Sequence, residues 1–360
     1  MAVLLRVLAG LAGLALVLAV LDAAIRTFLL PRSASVRLSR SIAWALRRLF
    51  DVLAPKRLDY VTQDRVLSLY PSVLLLTYQA VWLSLTLAGF TGLFYAAGAA
   101  SLARSTELAG SSLFTLGTSA PTGAAQLACT YIAAAVGLTL LALLIAFIPT
   151  LYTAFGRREA TVSRLAVRAG VPSTPWGVIE IAESVSDPER LDELWAEWET
   201  WFIELGETHT TLVILNYYRS PTASVSWIGS AGVVLDAAAL YNAAVDRPPS
   251  ASAGLCIRAG WLSLRLLADH FRLPYPELPS RTDPISVTRA EFDAALDHLS
   301  RSGVPILADR EAAWWDFVGW RANYDAILEA CYGLFSAPRP DWHLADTAAP
   351  TPPSNRRGGA

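Results

Sequence analysis

Charge is scarce in this chain. Only 17% of its 360 residues are Asp, Glu, Lys or Arg while 54% are hydrophobic, and the mean hydropathy is positive. That balance speaks for a membrane protein rather than an ordinary water-soluble one. Cysteine is sparse: Cys129, Cys256 and Cys331 stand far apart, which excludes a disulfide framework and a CxxC metal spacing. The four histidines, His209, His270, His298 and His343, follow no metal-ligand spacing such as HExxH. A phosphate loop, a GxGxxG fingerprint and a GxSxG elbow are missing. No enzyme, resident metal or organic cofactor is therefore expected. A formal net charge of -2 offers no global attraction to nucleic acid, which is not expected as a partner.

Long apolar runs are plentiful and unevenly placed. They cover residues 3–30, 67–98 and 127–155, and charge returns densely only after residue 155. Each run exceeds the roughly 20 residues that cross a hydrocarbon core of about 30 Å. The first is too long for a signal peptide, whose apolar part spans about 7 to 15 residues. Between the first and second runs stand Arg32, Arg37, Arg40, Arg47, Arg48, Lys56, Arg57 and Arg65, against Asp51, Asp59 and Asp64. Residues 99–126 carry one basic residue, Arg104, whereas Arg157, Arg158, Arg164 and Arg168 follow the third run. By the positive-inside rule the N-terminus and residues 99–126 lie outside, and everything after residue 155 is cytoplasmic in a multi-pass inner-membrane protein. Within the basic loop, Val36, Leu38, Ile42, Leu46, Leu49 and Phe50 alternate with arginines over residues 36–53. Two readings fit them: an amphipathic helix on the inner leaflet, or a basic connector that sets topology.

Between the second and third runs, Ser105 reads as an N-cap for a short helix from Thr106 to about Phe114. The stretch Thr115-Leu-Gly-Thr-Ser119 follows, and Pro121, Thr122 and Gly123 turn the chain back. Non-helical backbone at membrane depth is tolerated only where protein buries it or where it lines a watery path. The order outer helix, short helix, polar stretch, inner helix over residues 66–155 resembles the two-transmembrane potassium-channel pore module of prokaryotic channels. More narrowly, Ser111-Ser-Leu-Phe-Thr-Leu-Gly117 and Phe147-Ile-Pro-Thr-Leu-Tyr-Thr-Ala-Phe-Gly-Arg-Arg-Glu159 resemble bacterial potassium-channel-like membrane proteins with an extra N-terminal span and a helical cytoplasmic domain.

The resemblance implies a homotetrameric cation channel that conducts potassium or another monovalent cation, its selectivity filter made of Thr115, Leu116, Gly117, Thr118 and Ser119. Filter carbonyls replace an ion's hydration shell. Thr115 and Gly117 match the Thr-Val-Gly-Tyr-Gly-Asp pattern, whereas Ser119 replaces its second glycine, Thr118 its aromatic residue and Ala120 its acid. Ser119 is expected to carry a left-handed backbone at a cost of about 1 to 2 kcal/mol. Gly137 and Pro149 are candidate gating hinges, and Phe147, Tyr152 and Phe155 candidate constrictions at the inner mouth.

Beyond residue 156 the periodicity is helical. Ser186-Asp-Pro-Glu189 starts a helix with a stripe of Leu191, Leu194, Trp195, Trp198, Phe202 and Leu205. Thr288 and Glu291 form a capping box, and Asp309 caps a last long helix that carries Trp314, Phe317, Trp320, Tyr324, Ile327 and Leu328. Residues 221–245 contain one charge, Asp236, and are expected in a bundle core rather than in a fourth span. Glu207, His209, Asn216, Tyr217, Arg219 and Asp236 form the densest polar set, a candidate pocket for a cytoplasmic ligand.

The expected architecture is all-α: three transmembrane helices with a re-entrant pore loop, then a soluble helical bundle. Residues 1–65 hold the first span and basic connector, 66–156 the pore module, 157–344 the cytoplasmic domain and 345–360 a disordered tail. The competing reading is a non-conducting membrane-anchored sensor or scaffold whose cytoplasmic bundle binds a ligand or protein. In either case the lipid bilayer is a partner.

Overall fold

The structure, a computed structural model, describes residues 2–29, 37–55, 57–185, 189–222, 225–340 and 342. The expected tail, Ser186-Asp-Pro188, Val36 and His343 lie outside them. Among the described residues the fold is all-helical, and its only strand-like feature is an isolated bridge between Val245 and Ile306. Three helical stretches are long and apolar enough to cross a membrane: Val3–Phe28, Tyr60–Ala96 and Ala124–Ala169. By contacts the chain divides into two units, the first made of Met1–Arg157 with Thr208–Arg219, the second of Arg158–Glu207 with Ser220–Ala360. Residues 208–219 thus group with the first unit, although the sequence reading leaves them in the C-terminal domain.

In the first unit α1 (Ala2–Phe28) and α4 (Tyr70–Ala96) pack side by side. Arg6 near the start of α1 donates to the Ala99 carbonyl just past α4, which makes the pair antiparallel. Small residues let the backbones approach closely: a Cβ on Gly13 would strike the Gly89 carbonyl, and one on Gly10 would lie 2.7 Å from Ala96 Cβ. Helix α2 (Arg37–Leu53) leans on α4, and Leu38, Ile42, Leu46 and Phe50 pack into the core that holds Tyr70, Tyr78 and Trp82. These four residues of the apolar stripe therefore face protein, while Leu49 is exposed. The hydroxyls of Tyr70 and Tyr78 fasten the helix by donating to the Ala43 and Ser39 carbonyls, each at 3.2 Å.

Helix α3 (Tyr60–Leu67) is capped by Asp59 and leads into α4. Helix α5 (Leu102–Leu113) is followed by α6 (Ala124–Ala169), which runs through Pro149 without ending. A helix of 46 residues is about 69 Å long at about 1.5 Å per residue, more than twice a hydrocarbon core.

In the second unit α7 (Pro175–Val185), α10 (Ala251–Phe271), α12 (Arg310–Arg321) and α13 (Asp325–Phe335) surround α9 (Trp227–Ala244). Nearly every residue of α9 is buried, so its sequence, uncharged but for Asp236, matches a core helix wrapped by protein. On α8 (Glu189–Thr211) the six stripe residues are all buried while Glu193 and Glu204 are exposed. The Thr288–Glu291 capping box starts α11 (Arg289–Arg301), and Asp309 caps α12.

The expected last long helix is two. The Asn323 side-chain amide donates to the Gly319 and Trp320 carbonyls at 2.9 and 3.0 Å, which ends α12 before α13 begins. Asparagine competes with the helical ladder in this way.

Candidate functional site

Helix α5 begins one turn earlier than Ser105 implies. Ser101 is the N-cap, with an extended backbone and a hydroxyl that accepts from Arg104 N, while Ser105 is buried inside the helix. From there α5 doubles back along α4. Thr106 meets Thr91 at 3.4 Å, and Gly110 faces Leu87 one turn earlier in α4. Its buried side, Leu108 and Ala109, shares a cluster with Val17 of α1, Phe90 and Phe94 of α4 and Ala133 of α6. Twelve residues make about 18 Å of helix, too short to cross a bilayer.

The end of α5 is a Schellman cap. Thr115 N donates to Ser112 O at 3.1 Å and Leu116 N to Ser111 O at 2.8 Å, with Thr115 in the left-handed region at φ 54°. Glycine usually takes this place, and a β-branched residue there costs about 1 to 2 kcal/mol. Gly117 follows at φ 68° without that penalty. The left-handed positions are thus Thr115 and Gly117, and the cost expected at Ser119 falls on Thr115. Ser119 is needed elsewhere: its N–H donates to Ser111 Oγ at 3.1 Å and its hydroxyl to Glu107 Oε1 at 2.5 Å. Arg104 completes the brace, donating to Ser119 Oγ at 3.2 Å and the Ala120 carbonyl at 3.1 Å while pairing with Glu107 at 2.9 Å.

The tip of this braced loop is uncovered. Phe114 and Leu116 are 45% and 63% exposed, and Thr115, Gly117 and Thr118 are exposed too. Gly137, a candidate hinge, has a packing duty, because a Cβ there would run into the Leu113 carbonyl at the end of α5. Phe147 packs at a tilt against Phe28 of α1, ring centres 4.6 Å apart, and is buried. Pro149 is exposed on α6.

The residues of the candidate ligand pocket fall in both units, His209, Asn216, Tyr217 and Arg219 in the first and Glu207 and Asp236 in the second, and several of their polar atoms are engaged. Arg219 pairs with Asp64 at 2.5 Å, Tyr217 packs on Tyr70, and the Asn216 amide donates to the His209 carbonyl at 2.8 Å. Glu207 is exposed at the end of the α8 part that belongs to the second unit.

Asp236 is almost wholly buried and bonded to Arg321, to Tyr324 OH at 3.0 Å and to Trp342 Nε1 at 3.0 Å. Arg321 also holds Asp325 at 2.8 Å and Ser286 at 3.0 Å. Burial is the largest influence on Asp236 and raises its pKa, against the opposing pull of Arg321, Trp342 and Tyr324. Burial alone would lower the Arg321 pKa, but Asp236, Tyr324 and Asp325 raise it.

Sequence reasoning missed Arg321, Tyr324 and Trp342 as partners because they lie 85 or more positions beyond Asp236. The available signal was a lone acid in an uncharged helix, which demands a buried partner. It missed residues 208–219 as well, where Ile214, Leu215 and Tyr218 join the core of the first unit.

The geometry defines an all-helical protein with three candidate membrane spans and a braced, uncovered loop between the second and third. No family model, curated protein or solved structure matches this chain.

Proposed function

We propose that the chain is one subunit of a homotetrameric cation channel, with residues 115–119 of four copies around a common axis. The observation that carries this reading is the short, doubled-back α5 ending in an exposed loop. The chain spends Arg104, Glu107, Ser111 and Ser119 on fixing that loop and leaves its tip uncovered. Fixing a solvent-facing bend so firmly serves no evident purpose, whereas a filter needs carbonyls held in place before the ion arrives. The C-terminal end of α5 carries partial negative charge, which favours a cation nearby. Gly137 supports the same reading by letting α6, the proposed wall of the path, touch the end of α5. With Ser119, Thr118 and Ala120 where a potassium filter has glycine, tyrosine and aspartate, the proposed ion is a monovalent cation and potassium the first to test. The second unit, on the cytoplasmic side in this reading, regulates opening or assembly.

The test is cation flux into proteoliposomes together with subunit counting in detergent. Gly117→Phe is the informative variant: a Cβ at Gly117 meets nothing within 4 Å, so the chain folds with only a backbone penalty of about 1 to 2 kcal/mol, while four phenylalanines close the axis. Flux that survives Gly117→Phe, or a monomeric protein, overturns the proposal in favour of a membrane-anchored sensor or scaffold.

A further inference from the structure

Helix α2 has two working faces, and the protein uses one. Leu38, Ile42, Leu46 and Phe50 are taken up by the first unit's core. Around the exposed arc, at 100° per residue, come Arg40, Asp51, Trp44, Arg37, Arg48 and Ser41, then Val52 and Ala45, with Leu49 and Leu53 exposed toward the end of the helix on the side of Leu38 and Ile42. One half of that arc is mainly basic, its one acid, Asp51, paired with Arg47, and the other half is apolar. Trp44 is 63% exposed and Val52 77%, and the Arg48 guanidinium sits 5.3 Å from the Trp44 ring.

The acids close to α2 in sequence are engaged. Asp51 is held by Arg47 at 3.0 Å, Asp64 by Arg219 at 2.5 Å, and Asp59 accepts from Thr62 N at 2.9 Å to cap α3. The helix also sits where two candidate spans end, since Thr27 near the end of α1 meets Ser39 at 2.9 Å and Tyr70 begins α4. Water disfavours the exposed apolar half and hydrocarbon disfavours the arginines. The boundary between headgroups and acyl chains satisfies both.

We infer that the outer face of α2 binds anionic phospholipid of the leaflet at that end of the first unit, its arginines on the headgroups and Val52, Leu49 and Leu53 among the upper acyl chains. The inference rests on the three candidate spans and is independent of conduction through residues 115–119.

The test uses the full chain reconstituted in phosphatidylcholine vesicles that contain brominated phosphatidylcholine or, at equal mole fraction, brominated phosphatidylglycerol. Trp44 emission is taken as the difference between wild type and Trp44→Phe. The brominated anionic lipid is expected to quench Trp44 more strongly, with local enrichment of about fivefold per engaged arginine as an upper scale. The triple variant Arg37→Gln/Arg40→Gln/Arg48→Gln should reduce its effect to that of the zwitterionic lipid, while Arg281→Gln in the second unit should not. Equal quenching by both lipids in wild type, or a preference that survives the triple variant, overturns the inference. So does absence of quenching by either, the result expected if a second copy or another protein covers Trp44.

Discussion

Replacing Arg321 by methionine keeps the length of its stem and removes the one cation among two buried carboxylates. Asp236 is 1% exposed and Asp325 6%. Both lose their cationic partner, Ser286 loses a hydrogen bond, and the rings of Tyr324 and Trp342 lose a guanidinium 5.9 and 5.7 Å from their centres. Breaking a buried pair on one side costs about 3 to 5 kcal/mol, a large share of the roughly 5 to 15 kcal/mol that holds a folded protein. Arg321→Met is therefore expected to lower the unfolding midpoint of the second unit sharply, measured by denaturant titration of the detergent-solubilised chain with tryptophan fluorescence.

The decisive comparison is Asp236→Asn/Arg321→Met. It removes one of the two stranded charges while the introduced amide oxygen still accepts from Tyr324 or Trp342, so it should recover about 1 to 3 kcal/mol relative to Arg321→Met, a coupling typical of residues in one network. The pH dependence has a definite sign. An acid whose folded pKa is raised stabilises fully below its unfolded value of about 4 and loses that contribution as pH rises through the folded value. Burial already raises Asp236, and removing Arg321 takes away an opposing attraction. The Arg321→Met deficit should thus shrink as pH falls from neutral toward about 4. Additive single-variant effects, or a deficit that grows on acidification, would refute this account.

Gly137→Val should separate α6 from the end of α5, because its Cβ falls on the Leu113 carbonyl; tetramer yield and flux should drop, and wild-type values for both would contradict the assigned contact. The Asp64–Arg219 pair, with side chains 14% and 12% exposed, ties residues 208–219 to α3. Arg219→Met should cost about 1 to 3 kcal/mol, read as faster proteolysis near residue 219, and Asp64→Asn/Arg219→Met should cost less than the sum of the single changes. Burial pushes the Cys331 thiol up to about 12 and raises Cys256 as well. Both should resist alkylation at neutral pH until the chain is denatured, since the thiolate is the reactive form; rapid labelling of the native protein would show that their burial is misjudged.

Local chemistry made much of this molecule readable in one dimension. The three apolar runs, the Thr288 box, the Asp309 cap and the α8 stripe each depend on neighbours within a few positions, so periodicity and capping rules reached them. The candidate loop was legible in outline, through Thr115 and Gly117, yet its details shifted. Which serine caps α5 and which residue turns left-handed depend on how Ser111, Glu107 and Arg104 converge on Ser119, and that is a three-dimensional matter.

By itself, the order of residues determined that this is an all-helical chain with three helices able to cross a membrane, because hydrophobicity, helical period and caps are properties of short stretches. Tertiary structure alone decided that residues 208–219 belong with the first unit, that α2 spends one apolar face on α4, and that Asp236 answers to Arg321. The reason is physical: a buried charge or apolar face takes whichever partner the fold brings to it, and sequence distance carries no information about that partner.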